Sequence, residues 1–413
     1  MKQITLTITA HSPLAIGQRK PGGSVSEAMD YIPGTVIRGA IAGQILRQTQ
    51  ETPETGDDFH RLFVDEQAAV FRNGYPAVAR VNDDTYELRA EAISVLPVTA
   101  LSSKTDGGFK PGKAGVFDSL IDSYCAKEHG LFYEPNDITG NRVEPFSGFY
   151  SKSGTSHATH SVNKRLLTRV GINRQRATAQ DEILYSLEVL NETQGKQQPV
   201  PSVYRSTILV NDDALAEQLL AFIQGNGDRI RLGGSASRGL GQVSIAATLA
   251  EEPANSLPHR VTAFNTKLQE RWALWNTFGS LDPDPLQDRL FFTIDFQADA
   301  ILTEHWRRTM VLSEAMLKQS ADLASSEIRL EMAYSSYDYR SGWNAAWGLP
   351  KDVELVTKIG SVFLYSIPMS EGDGWYECLA QLERWGVGDR ASEGFGQVRV
   401  CNEFHQVMRE ASV

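Results

Sequence analysis

Cysteine is scarce in this chain of 413 residues. The three present, Cys125, Cys378 and Cys401, stand far apart with no Cys-x-x-Cys pair, which excludes a disulfide framework and a thiolate zinc site of ordinary spacing. Each reads as a buried structural thiol. Long apolar runs are missing as well: no stretch reaches the roughly 18 consecutive apolar residues that a membrane-spanning helix needs. The N-terminus, Met1-Lys2-Gln3-Ile4-Thr5-Leu6, enters an alternating strand pattern directly and carries no apolar export core. A cytoplasmic protein without a membrane partner is expected. No P-loop, Gly-x-Ser-x-Gly or His-Glu-x-x-His motif occurs, and no pattern calls for a metal or another cofactor. Positive charge is also in deficit, the formal net charge being −11, which at first argues against nucleic acid. Net charge governs solubility and steering, however, whereas phosphate affinity depends on a local basic patch. An acidic chain with one basic face stays compatible with RNA, and suits a subunit whose other surfaces meet protein neighbours.

What is present is a balance of 41% hydrophobic and 22% charged residues, enough to bury a sizeable core, and a length that predicts two domains. The most informative feature is an internal repeat. Residues 232–245 read LGGSASRGLGQVSI and residues 387–400 read VGDRASEGFGQVRV. At an offset of 155 they are identical at seven of fourteen positions, among them Gly233/Gly388, Gly239/Gly394 and Gly241/Gly396. Each copy follows a helical pattern (Asp213 to Gln224; Trp375 to Trp385) and precedes a short alternating strand starting at Gln242 or Gln397. Glycines at such a junction permit positive φ and close approach by another chain, and unblocked N–H groups there form an anion-binding concavity. A tight turn is the plain reading of one such cluster; two copies closing two similar units shift the balance toward function.

The two halves also open alike. Ile4 to Thr9 alternates as a half-buried strand, and Leu290 to Phe296 does much the same. Strand first, then helix, glycine loop and strand last, fits a split βαβ arrangement. The expected class is therefore α+β, with tandem ferredoxin-like domains and glycine-rich closing loops. The boundaries expected are a first domain over 1–250 with a large insertion at about 50–205, a linker with one helix over 251–288, and a nearly minimal second domain over 289–413.

Four stretches carry a family resemblance. Ser12-Pro13-Leu14-Ala15-Ile16-Gly17 leads to Tyr31-Ile32-Pro33-Gly34-Thr35-Val36-Ile37-Arg38-Gly39-Ala40; the glycine-rich loop closes each half; Thr168 to Arg174 is followed by Leu184-Tyr185-Ser186-Leu187-Glu188; and Gly342 to Lys351 precedes Gly360 to Phe363. In this order they resemble the repeat-associated mysterious protein (RAMP) superfamily of CRISPR–Cas proteins. The fourth is similar to a block of the two-domain, group-five (Cas-five-like) subunit of type III-D effector complexes. The resemblance implies tandem RRM-like domains and a non-catalytic structural role in a type III effector complex. It also implies crRNA as partner, held at its 5′ repeat-derived tag, with target RNA as a further candidate. Backbone RAMP subunits and the large polymerase-like subunit are the implied protein partners.

Candidate RNA contacts follow from charge placement. Residues 141–180 hold Arg142, Lys152, Lys164, Arg165, Arg169, Arg174 and Arg176 against the single acid Glu144, a balance of +6. Such a cluster neutralises phosphate, and arginine adds bidentate bonds and base stacking; a solvated loop with surplus charge is the bland alternative. Arg19 and Lys20 lie before the opening helix, whose start carries Thr35 as a cap candidate and Arg38, read equally as a phosphate contact or the partner of a carboxylate. The first glycine loop, with Arg231, Gly233, Gly234, Ser235, Ser237, Arg238 and Gly239, has no acid within 229–242; the second carries Arg390 beside Asp389 and Glu393. The first is thus favoured for RNA, and the second for a protein neighbour. Tyr334, Tyr337, Tyr339, Trp343 and Trp347 offer bases a stacking surface, although core or interface packing is the commoner use of such residues.

An enzyme of this kind needs a placed acid and base or a carboxylate at the scissile phosphate. His11 lies near the first strand–helix junction without a sequence partner, and the loop before the helix offers only Glu27 and Asp30. His157 and His160 read as members of a polar, exposed or RNA-facing loop. No catalytic residue is assigned; a RAMP ribonuclease and a protein-binding module without RNA contact are the alternatives.

Overall fold

The computed structural model describes residues 2–18, 27–50, 52–80, 85–89, 91–173, 178–195, 197–250, 257–321, 327–344 and 348–413. Strand β1 (Lys2–Ala10) buries Ile4, Leu6, Ile8 and Ala10 on one face and leaves the intervening threonines on the other, the period of two that the sequence shows. Helix α1 (Gly34–Thr49) packs Ile37 and Ile41 into the same core and also buries Gln44. After α2 (Asp58–Phe63) comes β2 (Ala69–Phe71), then a long interposed segment that includes α3 (Leu120–Glu128) and the two long strands β3 (Lys164–Asn173) and β4 (Thr178–Leu190). The unit closes with β5 (Val203–Val210), α4 (Asp213–Asn226) and β6 (Val243–Ala250). Its sheet runs β6-β1-β5-β2, with β1 antiparallel to both neighbours, Lys2 facing Val210 and Gln3 facing Ala250. Because Ile208 to Val210 pair with Phe71 to Ala69, β2 belongs to the sheet although it falls within the expected insertion.

The second unit repeats this order. After α5 (Leu257–Trp275) come β7 (Arg289–Phe296), α6 (Glu314–Ala321), β8 (Arg329–Tyr334), β9 (Val362–Pro368), α7 (Gly372–Trp385) and β10 (Val398–Val400), and the sheet runs β8-β9-β7-β10. In both units the fourth sheet strand lies beside the first, the first beside the third and the third beside the second.

The halves are not separate bodies. Both faces of the second sheet are covered, so β7 is buried from Phe291 to Phe296 without alternation. Phe292 packs on Tyr365 and on Trp375 of α7, while Phe291 meets Tyr124 of α3, which in turn lies near Trp272 of α5. Thus the helix of the 251–288 segment is core rather than connector, and a helix from the first half's interposed segment joins it there. The C-terminal tail returns to that same segment: Val116 and Val413 exchange backbone bonds of 2.8 and 3.0 Å.

Two contacts fix this arrangement. His405, fully buried, lies 3.0 Å from Asp118 of the interposed segment and 2.6 Å from Asp295 of β7. Burial alone would depress its pKa, but Asp295 and Asp118 outweigh burial and hold it at about 10. The second is a backbone seam: a Cβ on Gly34 would stand 1.9 Å from the Phe71 carbonyl oxygen and 2.8 Å from that of Glu393.

Stability is predicted to depend on both. The raised pKa makes the His405 contribution complete below its ordinary value of 6.5 and lost as pH climbs through about 10. Calorimetry should therefore show Tm falling across that window. His405→Gln, which strands two buried carboxylates, should cost roughly 3–5 kcal/mol at neutral pH. Along α1, Gly34→Ala should destabilise by about 1–3 kcal/mol through overpacking, whereas Gly39→Ala, where a Cβ meets nothing within 4 Å, should stabilise by about 0.5–1 kcal/mol. Denaturant titration of the pair checks this.

Candidate nucleic-acid interface

The first glycine loop begins at Leu232, which is buried, and ends at β6. Gly233 takes φ +84°, and a side chain there would stand 2.6 Å from the Ala15 carbonyl oxygen; the position must be glycine for the Ser12–Gly17 segment to lie against the loop. Ala15 pairs with Gly234, and Gly241 donates to Pro13. Beyond this anchor, Ser235 adopts φ +59° and a single turn over Ala236–Arg238 follows. The N–H groups of Ser235 and Ala236 donate to no backbone carbonyl among the described residues, and unengaged successive donors of this kind bind anions. Ser237, Arg238 and Gly239 are exposed.

Strands β3 and β4 pair antiparallel as a long ribbon that rises beside this loop. Leu14 pairs with Leu190, and Ala15, Val189 and Leu240 form a small apolar cluster with Leu167 and Leu187. The alternation that buries Val189 and packs the half-buried Leu167 and Leu187 against it puts Arg169 and Tyr185 on the same face, where they stand opposite each other. Arg238 reaches across from the loop, donating to the Tyr185 hydroxyl with its guanidinium carbon 5.9 Å from the ring centroid. Loop and ribbon thus present one surface: Arg169, Tyr185 and Arg238, next to the open N–H groups. Tyr185 is not among the residues that charge placement singles out, although it stands within the resembling block and on the same alternating face as Leu187.

The +6 window does not form one patch. Arg142 lies where its carbonyl receives the Lys104 N–H, Lys152 approaches Glu403 at 3.5 Å, and only Lys164, Arg165 and Arg169 stand on the described part of the ribbon. Lys164 is bound to Asp30 at 2.8 Å and to the Ala28 carbonyl, and Arg165 to Glu192 at 3.0 Å. Arg169 has no ion-pair partner among the described residues. Arg231 turns its guanidinium onto the carbonyls of Asp228 and Ile230. Arg19, Lys20, Arg174 and Arg176 lie outside the described residues, as do the Trp343 side chain and Trp347.

Several sequence expectations need correction. Thr35 is not the cap of α1: Pro33 occupies that position, and Asn73 Oδ1 accepts from Gly34 N–H at 2.8 Å. Arg38 donates to the Phe63 carbonyl and lies 3.9 Å from Glu393, so of its two readings the structure favours the carboxylate. His157 and His160 belong to no exposed loop. They lie on a strand, His160 bonded to Ser151 and held by burial at a pKa of about 4, His157 stacked on Phe109. Tyr334 packs on the second core, whereas Tyr337 and Tyr339 are exposed.

The second glycine loop has the same backbone and different surroundings. Gly388, Arg390, Gly394 and Gly396 take φ of +79°, +59°, +93° and +62°, against +84°, +59°, +84° and +81° at the equivalent positions 233, 235, 239 and 241. Ile301 pairs with Asp389 as Ala15 does with Gly234. Yet this loop faces the first unit, with Gly394 against Phe71 and Gly34. Its Glu393 receives Arg390 at 2.6 Å and Lys351 at 3.3 Å; burial raises its pKa, but Arg390, Lys351 and Arg38 outweigh that and hold the carboxyl below its ordinary value. The neighbour of the second loop is thus this chain's own first half.

His11 bonds Ser244 at 2.9 Å, and Asp30 is engaged by Lys164. No helix of the described residues is long and apolar enough to cross a membrane.

No curated protein matches this chain. Among solved structures, chains of the Type III-B Cmr-beta are similar. In the cryo-EM structure bound to cognate target RNA the likeness covers 95% of this chain and 96% of that chain, at 12% identity and a TM-score of 0.39. With target RNA and AMPPnP it covers 90% and 88%, at 13% and 0.37; in the apo state it covers 60% and 97%, at 12% and 0.31. The family model of the RAMP superfamily matches residues 7–244, more than half of the sequence, and the chain belongs to that superfamily.

Proposed function

We propose that this RAMP protein is a non-catalytic, crRNA-binding structural subunit of a type III CRISPR effector complex. In this reading both units are ferredoxin-like, the chain is the two-domain group-five subunit of a type III-D complex, and it works in the cytoplasm beside backbone RAMP subunits and the large polymerase-like subunit. The guide runs along the ribbon β3–β4 and over the first glycine loop, at its 5′ repeat-derived tag. The observation that carries the reading is the convergence of Arg169, Tyr185 and Arg238 beside the open N–H groups of Ser235 and Ala236. Guanidinium groups supply phosphate contacts, and an aromatic face held by a cation suits an unstacked base. Lys164 and Arg165 act by bracing the ribbon, since their charges are already matched. The non-catalytic reading draws support from Asp30, engaged by a lysine, and from His11, bonded to a serine hydroxyl.

Two measurements test this. Arg169→Ala with Arg238→Ala should weaken guide RNA binding and flatten the slope of log affinity against log salt by about 0.7 for each phosphate that is no longer neutralised. Arg38→Ala should leave that slope unaltered while lowering Tm. Unchanged guide retention in the double variant would remove the RNA reading. In a reconstituted complex, Asp30→Ala and His11→Ala should leave RNA cutting undiminished; loss of cutting in either would restore the ribonuclease reading.

A further inference from the structure

The second unit carries an exposed feature that the RNA path along the first leaves unused. Leu302–Glu304 and Arg307–Thr309 pair as a tight hairpin whose two-residue turn is His305-Trp306. Both turn residues are left-handed, at φ +48° and +63°. That conformation is needed to reverse a twisted ribbon in two residues and normally selects asparagine and glycine. A histidine followed by a tryptophan is strained there, and strain of this kind marks sites where the side chain itself has a task. Trp306 is 99% exposed, and no ring or hydrogen-bond partner holds it among the described residues.

The hairpin under it is braced. Leu302 is buried in the second core; Arg308 joins Asp389 of the second glycine loop at 2.6 Å and Glu354 at 2.7 Å; Glu304 accepts from Ser313. The nearby carboxylates are thereby engaged, while Arg307, exposed beside Trp306, has no ion-pair partner among the described residues. An indole presented beside an exposed guanidinium complements a nucleobase and its phosphate better than an apolar protein groove. The internal repeat supports the same occupant. The hairpin follows Ile301, which pairs with the second glycine loop, as the segment after Ala15 follows the pairing with the first, and that segment holds Arg19 and Lys20.

We infer that the His305-Trp306 hairpin tip is a second RNA contact, in which Trp306 stacks on an unpaired base and Arg307 meets the adjoining phosphate. This rests on the RNA-binding reading of the first unit, and the experiment separates the two. Binding of the full chain to a fluorescein-labelled single-stranded RNA oligonucleotide is followed by anisotropy over a salt series. Trp306→Ala should lower affinity by about 5- to 150-fold with the salt slope unchanged, since stacking releases no counterions. Trp306→Phe should retain most of the affinity. Trp306→Gly should bind as weakly as the alanine variant without any loss in Tm, because glycine accepts the left-handed turn. Full binding by Trp306→Ala, with binding lost in Arg169→Ala/Arg238→Ala, overturns this inference alone. Full binding by both overturns the RNA reading with it. Unchanged RNA affinity together with loss of a co-assembling protein subunit in Trp306→Ala would replace the base by a protein partner.

Discussion

At the junction of the two units, backbone lies directly on backbone. Gly34 opens α1 against the carbonyls of Phe71 and Glu393, and Gly394 returns the contact, a side chain there meeting the Phe71 carbonyl at 2.7 Å and Asn73 at 3.0 Å. No side chain fits between these segments, so the start of α1, the end of β2 and the second glycine loop form one rigid seam. Everything beside it is placed by that constraint. Asn73 supplies the acceptor for the first N–H of α1, and Arg38 must turn toward Phe63 and Glu393 because the helix start is already occupied. The first N–H of the anion-attracting end of α1 is therefore spent on folding.

Charge is partitioned in the same manner. Buried acids of both halves keep defined company around the second core: Asp295 and Asp118 on His405, Asp122 on Arg271 and Trp275, Asp299 on Arg340 and Tyr31. Breaking such pairs strands a charge, which is far costlier than never having made them. They fasten the interposed segment and the C-terminal tail to the second sheet, and they do so with acids that a surface count would set against nucleic acid. A net charge of −11 therefore says little about the ribbon face, where Arg169 and Arg238 stand.

How much of this could be read from sequence depends on distance along the chain. The order of strands and helices was legible because β1 alternates and the glycine loops repeat, both local signals. The difference between the loops was legible from Asp389 and Glu393, whose side chains do bind cations of the seam and hairpin. The interposed segment misled, for a physical reason. Consecutive residues of a strand face opposite ways and successive strands join different sheets, so Arg142, Lys152 and Lys164 separate although they are near in sequence. Lys164 and Arg165 lose their charge to Asp30 and Glu192, acids that the window excluded. His160 is buried by Ser151 and its strand neighbours, none of which a histidine count reveals. Trp306 gives no periodic signal at all, because its meaning lies in a turn conformation.

The duplicated loops show how one backbone can serve two ends. Their left-handed positions agree, including Ser235 and Arg390, where neither residue is glycine. A conformation kept at non-glycine positions in both copies must be enforced by what surrounds it, and both loops are pinned by the same pairing to the segment after the first strand. What differs is the exit. In the first, Ser237 and Arg238 point to solvent and Arg238 crosses to Tyr185. In the second, Ser392 is buried and Glu393 faces Arg38. Where the first loop carries the exposed Arg238 the second carries Glu393, so one shared backbone leaves the first loop open and seats the second against α1.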